Sequence, residues 1–251
     1  MEEFKIFVTF HGAINESCYS ELSPEEFSHF VFVAVNEKRP KTYPQDPKYK
    51  IIKEWELPIY DTELQRKGYN ENSVIYHVYI NKLYGDSTRV GFCQYDMHFQ
   101  RGSIDYVKRT MTPTSIHPMV MCGWNVCEGT FSKNNEIDNF YELVSSMNEF
   151  FPNAKFSKEG GFPLANAFIL PVNVLNTIMP WIIKITPKVY ADCQRCEPAD
   201  WRRPGVYLEH AMGIVLSSLY NEFRPWPGVT HPITHGTMHE IHDKSSYIQV
   251  I

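Results

Sequence analysis

Residue types that could do chemistry gather at three places in this chain. The first is the run Thr88 to Met97 (TRVGFCQYDM), in which Val90, Phe92 and Cys93 make the short two-sided apolar stretch that a central strand with both faces covered requires. The stretch breaks abruptly into Gln94, Tyr95 and Asp96. In open α/β sheets the carboxyl ends of the strands border the crevice where ligands bind. An aspartate there could hold Mg2+ or Mn2+ while phosphate oxygens and water fill the other positions of the cation; equally, Asp96 could cap the turn after the strand.

The second place is Glu209, in the first turns of a helical pattern and on the same side as Met212, Gly213 and Leu216. Partial desolvation raises a carboxyl pKa and makes it a better proton acceptor. The competing roles are an interaction with the helix N-terminus or a pair with Arg202 or Arg203. The third is His231, His235, His239 and His242. A spacing of four would set three of them on one helical face, but Pro232 and Gly236 oppose a continuous helix. They read as a solvated tail, with a metal-hydrolase site as the rival.

Lesser signals accompany these. Cys193 and Cys196 have zinc-like spacing and Cys122 with Cys127 could supply a second pair, but no known module surrounds them and free thiols are the preferred reading. Trp124 and Trp201 could wall an acceptor site, because sugars stack on aromatic faces, and Arg202 and Arg203 could bind diphosphate. Either tryptophan could as well be half-buried core. Asn166 opens an apolar strand, so its side chain turns towards a crevice or bonds a neighbouring loop.

The elements that must position these residues follow from periodicity. Phe4 to Phe10 and Phe30 to Val35 read as buried strands, the first running into a polar turn at His11 and Gly12. Ser23-Pro24-Glu25-Glu26 is a capping box with proline at the first helical position. Lys38 to Lys50 is a solvated loop. Glu71 to Tyr84 has helical spacing and leads into the strand at 90–93, so strand, helix and strand make a parallel crossover. Asn135 to Phe151 is the clearest helix, with Ile137, Phe140, Val144, Met147 and Phe151 on one face and Pro152 as its stop. Lys158 to Pro163 is a glycine-bearing loop and Asn166 to Leu170 a short strand. Val172 to Ile185 has helical spacing with Pro180 inside, which predicts a kink or two pieces. Pro204 to Phe223 is a second strong helix.

The whole-chain numbers bound the class. The 251 residues can bury a substantial core; 43% are hydrophobic and 21% charged, ordinary for a globular protein. The net charge is -5 and no basic block stands out, which argues against a dedicated nucleic-acid binder. The longest apolar stretch, 167–185, is interrupted by Pro171, Asn173, Asn176 and Pro180, so no transmembrane segment is expected. Six cysteines without a visible export signal fit a reducing, cytoplasmic setting. We read one domain over 1–251, with 224–251 as a His-rich C-terminal extension.

Taken in order, Ile6 to His11 (IFVTFH), Ser73 to Tyr79 (SVIYHVY), Val90 to Asp96 (VGFCQYD), Asn166 to Ile169 (NAFI) and Arg203 to Glu209 with the helix behind it resemble a family of short GT-A-fold glycosyltransferase-like domains from polysaccharide clusters and large DNA viruses. The pieces span residues 5 to 220, and their order and spacing carry the likeness. The resemblance implies an α/β fold with a GT-A-like (Rossmann-type), mostly parallel central sheet flanked by helices. It implies a nucleotide-sugar donor, UDP-, GDP- or dTDP-linked, across the strand ends, with its base near Thr9, Phe10 and His11 and with Gln94, Tyr95, Asp96 and Arg203 also on the donor.

Asp96 would stand for the metal-binding acid of the Asp-X-Asp element, holding Mn2+ or Mg2+ with His235 completing the shell. Glu209 would take the place of the carboxylate that removes the proton from the acceptor hydroxyl in inverting members. Trp124, Asn166 and Trp201 would contact a carbohydrate acceptor. The chain departs from the pattern at position 94, which is Gln, and at Pro180. The resulting expectation is an inverting, metal-assisted glycosyltransferase. The alternatives are a carbohydrate- or nucleotide-binding module without turnover, and a hydrolase built on the C-terminal histidines.

Overall fold

A computed structural model describes residues 4–133, 137–158, 161–195, 202–220, 222–230 and 247–248. The chain runs through β1 (Phe4–Phe10), α1 (Pro24–Phe27), β2 (Phe30–Ala34), β3 (Ile51–Lys53), α2 (Thr62–Arg66), α3 (Glu71–Ile80), β4 (Arg89–Gln94), β5 (His98–Phe99), α4 (Ser103–Thr110), β6 (His117–Pro118), β7 (Met121–Gly123), α5 (Trp124–Lys133), α6 (Ile137–Phe150), β8 (Gly161–Pro163), β9 (Phe168–Pro171), α7 (Val172–Gln194), α8 (Arg203–Leu219), β10 (Val229–Thr230) and β11 (Tyr247–Ile248).

Six strands form the central sheet in the order β3-β2-β1-β4-β9-β6. β3, β2, β1 and β4 are parallel, whereas β9 runs antiparallel to both β4 and β6. The register pairs Thr9 with Val33 on one side and with Gln94 on the other, so β2, β1 and β4 end level along one edge. Because β9 is antiparallel, its amino end, at Phe168 opposite Phe92, reaches that same edge.

Side chains alternate across the strands, and both faces are covered. Phe7, Val31, Val33, Val90 and Phe92 face a core closed by α3, α7 and α8; Phe4, Ile6, Val8, Phe10, Phe30, Phe32 and Cys93 face a second core under Tyr19, Phe27, Phe99, Ile104 and Trp226. Each such side chain contributes about 1.5–3 kcal/mol by leaving water, enough to fix which residues end up at the strand termini. The capping box starts α1 as its sequence requires: Glu26 N–H donates to Ser23 Oγ at 3.2 Å and Ser23 N–H to Glu26 Oε2 at 3.0 Å.

Four expectations are corrected. α7 is one helix of 23 residues running through Pro180 and Pro187 and not two pieces, because its buried face, including Leu175, Ile178, Trp181, Ile182 and Ile185, packs against its neighbours strongly enough to offset two missing backbone hydrogen bonds. Gly161–Pro163 is a strand, β8, paired with β7, and not simply a loop. α8 stops at Leu219. Residues 224–230 are part of the fold: Trp226 is buried, its Nε1–H donates to Ser103 O at 2.7 Å, and β10 pairs with β5.

α8 is set deeply because two of its positions lack a side chain. A Cβ at Gly205 would stand 2.8 Å from Gly68 O, and one at Gly213 would stand 2.4 Å from Phe162 Cδ2. The helix therefore approaches the 68–70 segment and β8 more closely than any other residue would allow. That approach carries Glu209 to the sheet's carboxyl edge.

Candidate active site

At the ends of β1 and β4 the backbone is already committed. Tyr95 N–H donates to Thr9 O and Val35 N–H to Phe10 O, both at 3.1 Å. Thr9 is buried, and Phe10 packs edge-on against Tyr43 in the second core. Of Thr9, Phe10 and His11, expected near a donor at the end of β1, His11 alone brings a side chain to the edge, where its Nε2 lies 3.6 Å from Glu71 Oε1.

The turn before β9 forms the opposite wall. Ala165 (φ 61°) and Asn166 (φ 48°) both adopt left-handed backbone, which asparagine tolerates but alanine does so at a cost of about 1–3 kcal/mol. Three hydrogen bonds hold it. Ala165 N–H donates to Glu209 Oε1 at 2.7 Å, Gln94 Nε2 donates to Ala165 O at 3.4 Å, and Asn166 Nδ2 donates to Asn72 Oδ1 at 3.2 Å. Asn72 in turn donates from Nδ2 to Gly205 O at 2.9 Å and Tyr69 O at 3.2 Å. Since both bonds end on carbonyls, the Asn72 amide has one orientation, and so does the Asn166 amide that it accepts from. Asn166 Oδ1, in a residue 3% exposed, is left without a hydrogen-bond partner among the described residues.

These bonds bring Gln94, Asn166 and Glu209 together, and His11 joins them through Glu71. Glu209 retains some solvent contact, but protein packed around its carboxyl pushes its pKa up to about 7. Desolvation dominates; the Ala165 N–H works against it and the charge of Glu71 adds to it. A carboxylate so placed can take a proton at neutral pH. Tyr95 is shifted up by burial and then by Asp96, while Arg39 pulls it down and Glu71 pushes it up. Arg39 and Glu71 thus both act on Tyr95, and Glu71 also acts on Glu209.

Asp96 lies beneath this edge, 7% exposed. Its charge is felt on the second-core side: burial and then Asp96 push the Cys18 thiol up to about 11, and the same two causes raise Cys93. Position 94 supplies an amide where a second acid would stand, and among the described residues no group of three His, Cys, Asp or Glu side chains is arranged to hold a metal ion. Of the two residues expected to hold Mn2+ or Mg2+, Asp96 alone is among the described residues.

The remaining expected residues divide. Arg203 is buried at the first position of α8. Trp124 does not wall a sugar site: it is 4% exposed, and its ring stacks on Phe162 at 4.6 Å and meets Phe156 edge-on at 5.0 Å. Trp201, His235, the other three C-terminal histidines and Cys196 lie outside the described residues. The five described cysteines are buried free thiols.

Sequence reasoning missed Glu71, Asn72, Ala165 and Arg39. An acid and an asparagine opening a crossover helix look like ordinary helix-start chemistry, and nothing in an alanine announces left-handed backbone. Arg39 sits in a stretch whose proline and charge content reads as plain solvated loop.

A mainly parallel sheet with flanking helices, and polar groups gathered at its carboxyl edge, define a GT-A-like glycosyltransferase fold. Among solved structures the chain is similar to the bifunctional glycosyltransferase WbbM in its apo form, with a TM-score of 0.60 and 12% identity, over 92% of this chain and 45% of that one. The chain thus spans under half the length of that protein, and the likeness is one of fold. It is also aligned with the mannosyltransferase Ktr4p of S. cerevisiae, at a TM-score of 0.38 and 11% identity over 90% of this chain and 70% of that one. No protein-family model matches the chain, and no curated protein matches it. Among the described residues no helix is long and apolar enough to cross a membrane.

Proposed function

We propose that this chain is a glycosyltransferase that moves a sugar from a nucleotide-sugar donor to a carbohydrate hydroxyl with inversion. The observation that carries the reading is Glu209, a carboxylate with a pKa of about 7 at the carboxyl edge of a GT-A-like sheet, one oxygen anchored on Ala165 N–H. In the reaction Glu209 accepts the proton of the acceptor hydroxyl as that oxygen bonds to the anomeric carbon. The bond from the anomeric carbon to the diphosphate breaks, and the nucleoside diphosphate leaves with the bonding pair.

The test is NMR observation of donor cleavage and transfer across UDP-, GDP- and dTDP-sugars, on the wild type and Glu209→Gln. One donor should be turned over, and the amide should cost about 10²–10⁴-fold in turnover with donor affinity retained. If no donor binds, the reading fails. If a donor binds and neither protein turns it over, the chain is a binding module.

A further inference from the structure

We infer that the donor's diphosphate is met in this protein by the guanidinium of Arg39 and not by a protein-held divalent cation. The inference rests on the nucleotide-sugar reading above. A departing nucleoside diphosphate gathers negative charge that something at the strand ends must meet. A metal on two carboxylates is one solution and a bidentate guanidinium is another. The first is poorly provided for, with Gln94 in place of an acid and Asp96 buried beneath the edge.

The second is provided for by the loop that leaves β2. Asn36 turns the chain in left-handed backbone (φ 59°), and Arg39 N–H donates to Asn36 O at 3.0 Å. Lys41 Nζ donates to Asn36 O at 2.6 Å and to Arg39 O at 2.8 Å, and lies 4.8 Å from the centre of the Trp55 ring. Thr42 N–H donates to Gly12 O at 2.9 Å, which ties the loop to the one leaving β1. The main chain at Arg39 is thus fixed while its side chain is exposed.

The guanidinium lies over Gly12, with Nε 3.8 Å and Nη2 3.9 Å from the point a Cβ there would occupy, so no side chain at position 12 covers it. It makes no hydrogen bond or ion pair among the described residues, although Glu71 and Glu209 line the same edge. Arg39 and Lys41, with Glu37 beside them, lie on the β1–β2 side of the edge, and Glu71 and Glu209 on the side of α3 and α8. An anionic leaving group suits the first half and a neutral acceptor hydroxyl the second.

The test is calorimetric titration of the full chain with UDP, GDP and dTDP and with their parent nucleosides, in EDTA and in Mn2+, on the wild type and Arg39→Gln. One diphosphate should bind in EDTA more tightly than its nucleoside. Arg39→Gln should weaken that diphosphate by about 10- to 150-fold, the worth of a charge-assisted hydrogen-bonded pair, and leave the nucleoside unchanged. Diphosphate binding that needs Mn2+, or that survives Arg39→Gln intact, overturns the assignment while leaving the transferase reading in place. Wild type that binds no nucleotide in either condition overturns both. Position 39 is exposed, so a folding defect does not confound the variant.

Discussion

The backbone N–H of Ala165 donates a 2.7 Å hydrogen bond to Oε1 of Glu209, across 44 positions of sequence. It joins a helix to a turn whose own backbone is strained. It also fixes one carboxylate oxygen in place. Burial raises the pKa of this carboxyl while the bond lowers it, and the balance at about 7 lets one group accept a proton at neutral pH and still be anchored.

Turnover should rise with pH through about 7 and level off above it, because the base must be ionised. The same shift makes a stability statement. Between the ordinary value of 4.5 and about 7 the folded protein keeps a proton that the unfolded chain releases. The contribution of Glu209 to stability is therefore full below 4.5, falls as pH rises through about 7, and is flat beyond. Glu209→Gln should remove that part of the slope in a series of melting curves against pH; an unchanged slope would refute the shift.

Glu71→Gln should move the lower limb of the pH–turnover profile to lower pH, since the charge of Glu71 is one of the causes that raise Glu209. Well above pH 7, turnover should match the wild type. Superimposable profiles would show that the two carboxylates do not sense one another.

Asn72→Ala should destabilise the protein by about 1–3 kcal/mol, because it strips a hydrogen bond from Gly205 O and leaves Asn166 Nδ2 without its acceptor. For a chain of this size that corresponds to roughly 2–4 °C in Tm per kcal/mol. Turnover should fall as well, since Asn166 adjoins the alanine that anchors Glu209. A variant with wild-type Tm and turnover would remove Asn72 from the account.

Gly213→Ala separates helix propensity from packing. In an exposed helix alanine would stabilise by about 1 kcal/mol. Here its Cβ would come 2.4 Å from Phe162 Cδ2 and 2.9 Å from Pro163 O, and overpacking of that kind costs about 1–3 kcal/mol. The melting temperature should therefore drop; a rise would mean that α8 can move away from β8 freely.

Local pattern was enough for β1, β2 and β4, for the capping box at Ser23 and Glu26, and for α6 and α8, because each depends on residues within a few positions of one another. Tertiary packing decided the rest. A single helix runs through Pro180 and Pro187 because its buried face outweighs the missing bonds. Trp124 went to the core because Phe162 and Phe156 come to it from another part of the chain. Arg39 came over Gly12 because two loops are tied together at the ends of neighbouring strands. Glu209 shows the division most plainly. Its sequence surroundings determined that a carboxylate would open an apolar-faced helix. Only the fold, by bringing Ala165 and Glu71 beside it and packing protein around it, decided that this carboxylate would hold its proton up to about 7.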